Sequence, residues 1–206
     1  PGTEEEIFTL DQLSQRFDLA HVHKAGAVFD ADRLDYLNGV YIRSLTDEQL
    51  ALRLRPFLPD ALDDAAVLRV TPLIKERLVR LADATELTAF LVESDEEIAA
   101  MLDVGSLVPK GRSPAEAARA LAIAREVLSE LTDGDFSADV LEARCRTAAE
   151  SLGWKPGDFF RPLRAAVTGR SISPPLFGSM ELLGRDRVLS RIDGALGAVS
   201  AEAPTA

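Results

Sequence analysis

The sequence predicts an all-α protein, built as a bundle or array of helices in two sub-domains. Apolar residues recur at intervals of three and four along most of the chain, whereas the strict alternation typical of half-buried strands is almost absent. Helix-start signals, in which a hydroxyl residue is followed three positions later by glutamine or glutamate, recur through the first half and into the second. No fixed-period repeat is visible, so we do not expect a solenoid.

The first half of the chain carries three of these start signals. In such a capping box the two side chains satisfy backbone donors at the helix start. The three boxes are Thr9 with Gln12, Thr46 with Gln49, and Ser94 with Glu97. Between residues 67 and 81 the helical period continues, and Pro72, which lacks a backbone donor, must begin a new helix or kink this one.

A segment with two glycines, residues 105–111, separates the predicted sub-domains. It contains glycines and a lysine but neither of the known phosphate-loop patterns, so we interpret it as a flexible linker. We therefore divide the chain into residues 1–104 and residues 105–206.

The second half opens on the strongest start signal of the chain. Residues 113–116 combine an N-cap serine, a first-turn proline and a capping-box glutamate, and the helix should run to about Leu131. Ser137 is predicted to cap the next helix. Two further helices should follow Pro156 and Arg185.

The net charge is −11 and the sequence pI is about 4.7. Taken as a total, this acidity argues against a nucleic-acid partner, because phosphate contacts need a basic surface. The basic residues, however, gather in three clusters. These are Arg69, Lys75, Arg77 and Arg80; Lys110, Arg112, Arg119 and Arg125; and Arg161, Arg164 and Arg170. A nucleic acid bound by such clusters would lose affinity as salt is added.

Composition also indicates the cellular compartment in which the protein should function. No apolar run approaches the roughly 20 residues that span a bilayer. The single cysteine, Cys145, can form no internal disulfide and fits a reducing compartment. We therefore expect a soluble, cytoplasmic protein. Because the chain opens without methionine, we also expect a fragment of a longer one.

Few residues suggest catalysis or metal binding. His21 and His23 are the only histidines, and two ligands do not complete the four-ligand sphere that zinc favours. Cys145 lies among apolar residues at helical spacing, which favours a core position over a nucleophile. The acidic pairs that could share acid and base roles are Asp30 with Asp32 and Asp63 with Asp64, and solvated positions are the simpler interpretation. We predict no catalytic residue and no metal site.

Two stretches resemble a known family. The first consists of residues 6–10 (EIFTL), 28–30 (VFD) and 35–43 (DYLNGVYIR), and the second of residues 160–169 (FRPLRAAVTG), 174–177 (PPLF) and 181–184 (ELLG). In order and spacing they resemble the region after the catalytic domain of bacterial glutamyl-tRNA synthetases, which are class I aminoacyl-tRNA synthetases. The stretches bracket nearly the whole chain. That family often has Pro-Gly where this chain has Pro174-Pro175, which stiffens the turn.

The resemblance implies a tRNA partner. Residues 1–104 would hold the stem-contact region and the first anticodon-binding helices, and residues 105–206 the C-terminal anticodon-binding domain. The family's HIGH-type and KMSKS-type catalytic motifs are absent from this sequence, so we expect no cofactor here and no aminoacylation by this chain alone. The parent protein, by resemblance, would join glutamate to tRNA(Glu) using ATP and Mg²⁺. We expect a monomer that binds neither DNA nor a membrane.

Six residues are candidate tRNA contacts by resemblance: Arg43, Arg77, Arg161, Arg164, Ser173 and Leu176. Arg77 aligns with the family's arginine that discriminates the third anticodon base, a cytosine, whose O2 and N3 acceptors suit a guanidinium fork. The alternative for Arg77 is a solvated position on an amphipathic helix. Arg161 and Arg164 could bind phosphate or pair locally, and Leu176 could equally belong to the core.

The motif around residues 36–43 favours a structural role. Asn38-Gly39 favours a tight turn, the flanking apolar residues favour packing, and Arg43 is the member we expect to touch RNA.

Two other classes of function fit the composition. The first is an all-α protein-interaction or adaptor module without nucleic-acid specificity, whose acidic surface would recruit a basic partner and which would show no preference for tRNA(Glu) over other tRNAs. A small helical enzyme would need a pocket converging on the histidines or the paired carboxylates, and the sequence gives no sign of one.

Overall fold

The computed structural model describes residues 7–21, 29–170 and 173–202. Within these ranges the chain forms twelve α-helices joined by turns and short 3-10 segments, and no residue lies in a strand. The helices are α1 (Leu10–Arg16), α2 (Ala31–Ser44), α3 (Asp47–Leu54), α4 (Asp64–Ile74), α5 (Asp83–Thr88), α6 (Asp95–Met101), α7 (Val104–Leu107), α8 (Pro114–Ser129), α9 (Ala138–Ser151), α10 (Pro156–Thr168), α11 (Leu176–Leu183) and α12 (Arg185–Glu202). The all-α prediction is confirmed.

Four predicted capping boxes form at helix starts. They begin α1, α3, α6 and α8, and in each box the two backbone N–H groups donate to the partner side chains over 2.8 to 3.3 Å. An N-cap of this kind contributes about 1 kcal/mol. Ser137 takes the predicted N-cap position of α9, but its side chain makes no capping hydrogen bond. The carboxylate of Glu181 in α11 instead accepts from the N–H of Ala138, the first residue of α9, at 2.7 Å.

The described helices bury two hydrophobic cores. The first core lies between α2, α3, α4 and α5, and the second is formed by α7 to α12. The partly buried Leu91 packs against both cores, and α4 contacts α11. At that contact Gly178 leaves room for Leu73, since a Cβ on Gly178 would lie 2.7 Å from a Leu73 methyl group. The division at residue 104 stays a prediction.

The predicted flexible linker at residues 105–111 is wrong in its first part. Helix α7 covers Val104–Leu107, and the Leu107 side chain is fully buried in the second core. The carbonyl of Asp103 accepts from both the N–H and the hydroxyl of Ser106, at 2.8 and 2.6 Å. Burial of Leu107 therefore holds this segment in one conformation, although its glycines suggested a flexible backbone.

The end of α4 sets the position of Arg77. Pro72 lies in the last turn of α4, and the helix stops two residues later at Ile74. A single 3-10 turn, Lys75–Arg77, follows and ends at Leu78. Because Ile74 and Leu78 are both fully buried, they hold the turn and leave Arg77 exposed between them.

The predicted tight turn at Asn38-Gly39 is wrong, because both residues lie inside α2. The guanidinium of Arg43 packs over Gly39, where an added Cβ would lie 2.9 Å from a guanidinium nitrogen. The Asn38 amide donates to the carbonyl of Val79. Tertiary contacts thus make this pair helical, and they tie α2 to the chain just after Arg77. No helix within the described ranges is long and apolar enough to cross a bilayer.

Candidate nucleic-acid interface

A pocket of about 300 Å³ opens where the two cores meet. Its walls come from the turn after α4, from α5 with the turn that follows it, and from the segment after α10. Its polar lining residues are Arg77, Asp83, Glu86, Arg170 and Ser173, and its apolar ones are Leu87, Phe90 and Pro174. Arg77 and Ser173, two of the predicted tRNA contacts, therefore come together although 96 positions separate them in the sequence.

Arg77 presents an uncommitted guanidinium to this pocket. Its side chain is exposed, and among the described residues no hydrogen bond or ion pair holds it. Lys75, in the same turn, is committed instead: its ammonium donates to the carbonyl of Leu45 at 2.6 Å and to Asp47 at 3.0 Å. The donors of Arg77 are thus available to a ligand, and those of its neighbour are not.

Arg164 fixes the opposite wall. Its guanidinium donates to the hydroxyl of Ser173 and to the carbonyl of Pro174, each at 2.8 Å. Burial lowers the pKa of Arg164 below its ordinary value, and the nearby positive charge of Arg77 lowers it further. The second effect shows that the two cations lie within electrostatic reach of each other. An anionic or acceptor-rich ligand between them would relieve that repulsion.

The two carboxylates that line the pocket differ in whether they accept hydrogen bonds from the protein. Asp83 accepts from the backbone N–H groups of Val79 and Arg80 at 3.0 and 2.7 Å, so it holds the chain that follows Arg77. Glu86 is exposed, and within the described part of the chain it makes no hydrogen bond or ion pair. Arg77 and Glu86 are therefore the two charged lining groups without a structural partner among these residues.

Arg170 lines the pocket as half of an ion pair. Its guanidinium donates to both carboxylate oxygens of Glu93, each at 2.7 Å, and to the carbonyl of Thr168 at 3.0 Å. The hydrogen bonds from Arg170 hold the pKa of Glu93 below its ordinary value against the opposing effect of burial. The same hydrogen bonds raise the pKa of Arg170. Arg170 thus supports the wall more than it offers donors.

Two arginines of α12 hold the same loop. Arg191, whose side chain is fully buried, donates to Asp95 at 2.8 Å, to the carbonyl of Glu93 at 2.9 Å and to that of Val167 at 2.6 Å. Arg187 donates to the carbonyls of Leu91 and Glu93, at 2.8 and 2.6 Å. We call Arg170, Arg187 and Arg191, together with residues 91–95, the clamp. The clamp fastens the loop between α5 and α6 onto the second core.

Comparison with known proteins identifies the family to which this chain belongs. A family model described as the anticodon binding domain matches residues 49–196. The chain belongs to the anticodon binding domain family. The matched range includes the turn that carries Arg77, the clamp and the segment around Ser173.

Two relatives and one solved structure illustrate what this chain is similar to. A protein named glutamate-tRNA ligase from Acidothermus cellulolyticus is 42% identical over 197 residues, covering 91% of this chain and 38% of its own length. One of the same name from Chloroflexus aurantiacus is 37% identical over 203 residues, covering 94% of this chain and 40% of its own length. The crystal structure of a glutamate tRNA ligase from Elizabethkingia meningosepticum matches 95% of this chain with a TM-score of 0.75 at 27% identity, and 38% of that protein is covered. The chain therefore spans about two fifths of the relatives it matches.

The other predicted contacts of this anticodon binding domain lie apart from the pocket lining. Arg43 is half-buried over Gly39 in α2. Arg161 is exposed on α10, three residues before Arg164. Leu176 is only 3% exposed, and its side chain packs in the second core at the first position of α11. At that position its backbone N–H has no acceptor within the helix.

Several functional-looking cations prove to be structural. Of the second basic cluster, Arg112 pairs with Glu116 at 3.0 Å, and Arg125 pairs with Asp193 at 2.8 Å. The clamp residues Arg187 and Arg191 were not singled out from the sequence, because their partners in residues 91–95 lie 92 to 98 positions away. The acidic segment 93–97 was the only signal that could have suggested a cationic partner.

The candidates for other chemistry occupy structural positions. Cys145 is fully buried in the second core, as predicted, and burial raises the pKa of its thiol to about 12. Asp30 and Asp63 accept from backbone N–H groups as the N-caps of α2 and α4. His23 lies outside the described residues. Within them, no group of three or more His, Cys, Asp or Glu side chains is arranged to hold a metal ion.

Proposed function

We propose that this chain is the tRNA-binding part of a glutamate-tRNA ligase, and that Arg77 contacts the third base of the anticodon. The observation that carries the proposal is the uncommitted guanidinium of Arg77 on the wall of a pocket between two cores, in a chain of the anticodon binding domain family. The names of the relatives support the choice of ligase.

The chemistry of Arg77 suits an unstacked base. Bases of an anticodon loop expose their Watson–Crick edges, which side chains read by hydrogen bonds and stacking. A guanidinium offers several donors in one plane and no acceptor, so it matches the adjacent O2 and N3 acceptors of cytosine. Uracil carries an N–H at position 3 in place of the acceptor. An arginine that faces this edge therefore favours cytosine.

The remaining predicted contacts would act around this pocket. Ser173, held by Arg164, and the free N–H of Leu176 would present the turn after α10 to the anticodon loop. Arg161 and Arg43 would contact phosphates, and Arg164 would add positive charge behind the turn. Phosphate contacts of this kind position the RNA, whereas base contacts specify it.

The parent protein would supply the chemistry that this chain lacks. It would attach glutamate to tRNA(Glu) with ATP and Mg²⁺ in the cytoplasm, and this chain would bind the tRNA as a monomer without aminoacylating it.

The experiment is direct binding of the chain to transcripts of tRNA(Glu) and of an unrelated tRNA over a series of salt concentrations. We expect tighter binding of tRNA(Glu) and a linear fall of log affinity with log salt, because cations on the RNA backbone are released on binding. An equal affinity for both tRNAs would support a general interaction module instead. Absence of binding at low salt would contradict the proposal.

A further inference from the structure

The pocket holds one charged group that the proposed function leaves without a role. Arg170 is occupied by Glu93, and Asp83 by two backbone N–H groups. Glu86 remains, exposed and without a hydrogen bond or ion pair among the described residues. A carboxylate kept beside an RNA-binding surface is costly unless it meets a donor, because it repels phosphates.

Glu86 lies on the pocket wall with Arg77. It belongs to α5, two residues before the buried Thr88 and four before Phe90, which is 1% exposed and lines the pocket together with Leu87. Glu86 also contributes to the raised pKa of Arg170, after Glu93, so its carboxylate lies within electrostatic reach of the opposite wall. The pocket lining thus contains a guanidinium donor, a carboxylate acceptor and two apolar side chains.

We propose that Glu86 is a specificity-determining residue that accepts a hydrogen bond from the N4 amino group of the third anticodon base, a cytosine. This inference rests on the proposed function. The Watson–Crick edge of cytosine presents two acceptors, O2 and N3, next to one donor, N4–H₂, and acidic side chains pair with that donor. Arg77 supplies donors for the first two atoms, and Glu86 supplies the acceptor for the third.

The pair rejects uracil at two atoms. Uracil has an N–H at position 3, which faces the donors of Arg77, and a carbonyl oxygen at position 4, which faces the carboxylate of Glu86. Both contacts are repulsive, because a donor would face a donor at position 3 and an acceptor would face an acceptor at position 4. Leu87 and Phe90 supply the apolar part of the lining around these contacts. Two residues therefore give a discrimination that Arg77 alone gives only in part.

A base analogue isolates the N4 contact. We would bind the chain to anticodon stem-loops of tRNA(Glu) that carry cytosine, 2-pyrimidinone or uracil as the third anticodon base. The compound 2-pyrimidinone keeps O2 and N3 but lacks the amino group. The wild-type chain should bind the cytosine RNA about ten-fold more tightly than the 2-pyrimidinone RNA, the usual size for one base-edge contact.

The variants are Glu86→Ala and Glu86→Gln, with Glu126→Ala as the matched control. Glu126 is an exposed glutamate on α8 that does not line the pocket. Both alanine variants remove one negative charge, so both should strengthen general RNA binding, and this change cancels in the ratio of affinities. The ratio of cytosine to 2-pyrimidinone should fall to about one in Glu86→Ala and stay at about ten in Glu126→Ala. Unfolding midpoints should be unchanged in both.

The Glu86→Gln variant tests whether residue 86 accepts a hydrogen bond from N4 of cytosine. Its amide oxygen can still accept from N4, but its amide nitrogen can donate to O4 of uracil, so this variant should keep part of the cytosine preference and bind the uracil RNA better than wild type does. Retention of the full cytosine to 2-pyrimidinone ratio in Glu86→Ala would overturn the inference. If Arg77→Ala at the same time loses the preference for cytosine over uracil, the proposed function stands without Glu86. If the wild-type chain binds none of the RNAs, both fall together.

Discussion

Arg77 and the clamp are both rich in positive charge, but they use that charge differently. In the clamp, Arg170 and Arg191 donate hydrogen bonds to Glu93, Asp95 and backbone carbonyls, at distances of 2.6 to 3.0 Å. Arg77 is exposed and makes no such bond among the described residues. The clamp therefore stabilises the fold, and Arg77 remains available to a ligand. Positive charge alone does not identify an RNA contact in this acidic protein.

The comparison predicts opposite consequences for the two regions. Substitution in the clamp should lower the free energy of unfolding and affect RNA binding only through the fold. Substitution of Arg77 should leave stability unchanged and alter RNA binding directly.

Arg191→Met should give the largest loss of stability. The side chain of Arg191 is fully buried, and its removal takes one donor each from Asp95 and from the carbonyls of Glu93 and Val167, while Arg187 still contacts Asp95 and Glu93. Breaking such a pair from one side costs about 3 kcal/mol of unfolding free energy. Urea denaturation followed by circular dichroism measures the change.

Arg53→Ala is the control for Arg191→Met. Arg53 is exposed on α3 and makes no side-chain bond within the described ranges, so its removal should change the unfolding free energy by less than about 0.5 kcal/mol. Equal unfolding midpoints for Arg191→Met and Arg53→Ala would contradict the role of the clamp.

Glu93→Gln should have a smaller and pH-dependent effect. The carboxylate and its partner Arg170 are 21% and 25% exposed, and loss of the charged pair should cost about 1 to 2 kcal/mol at neutral pH. Because the pKa of Glu93 is lowered in the folded state, its stabilisation is fully present above the ordinary pKa of 4.5. The contribution is lost as the pH falls from there through the folded-state pKa. Urea titrations of both proteins at a series of pH values should therefore converge on acidification, and a constant difference would count against the ion pair.

Arg164→Met should cost about 1 kcal/mol, because it keeps the apolar stem but removes the bonds to Ser173 and Pro174. The turn after α10 would lose its tether, so affinity for tRNA should also fall. Amide hydrogen exchange at Ser173 and Leu176, which carry the N–H groups on either side of the two prolines, reports the tether separately from global unfolding. Unchanged exchange at these residues would show that the turn is held by other contacts.

Local signals in the sequence were sufficient for much of the fold. The boxes at Thr9, Thr46, Ser94 and Ser113 formed as predicted, since each depends on atoms three residues apart. Asn38-Gly39 was predicted wrongly, because the decisive contact, from Asn38 to Val79, spans 41 positions. The segment after Asp103 was predicted wrongly for a related reason, since the burial of Leu107 is a tertiary property.

The candidate site was predictable only where a resemblance existed. Alignment to a family suggested Arg77 and Ser173, and both line the pocket. No sequence motif marked Glu86. It became a candidate only because Asp83, three residues earlier, already accepts hydrogen bonds from two backbone N–H groups. The clamp could not be predicted either, because Arg170 and Glu93 are 77 positions apart. Which charged side chains remain without a partner depends on contacts that form only in the folded chain.

The most direct test of the account is the affinity of the chain for tRNA(Glu) transcripts that carry cytosine or uracil as the third anticodon base, with wild type, Arg77→Ala and Arg53→Ala side by side. We predict that wild type and Arg53→Ala prefer cytosine by about ten-fold or more, and that Arg77→Ala loses this preference while its unfolding free energy changes by less than about 0.5 kcal/mol. An Arg77→Ala variant that keeps the full preference for cytosine would contradict the claim that this guanidinium reads the anticodon.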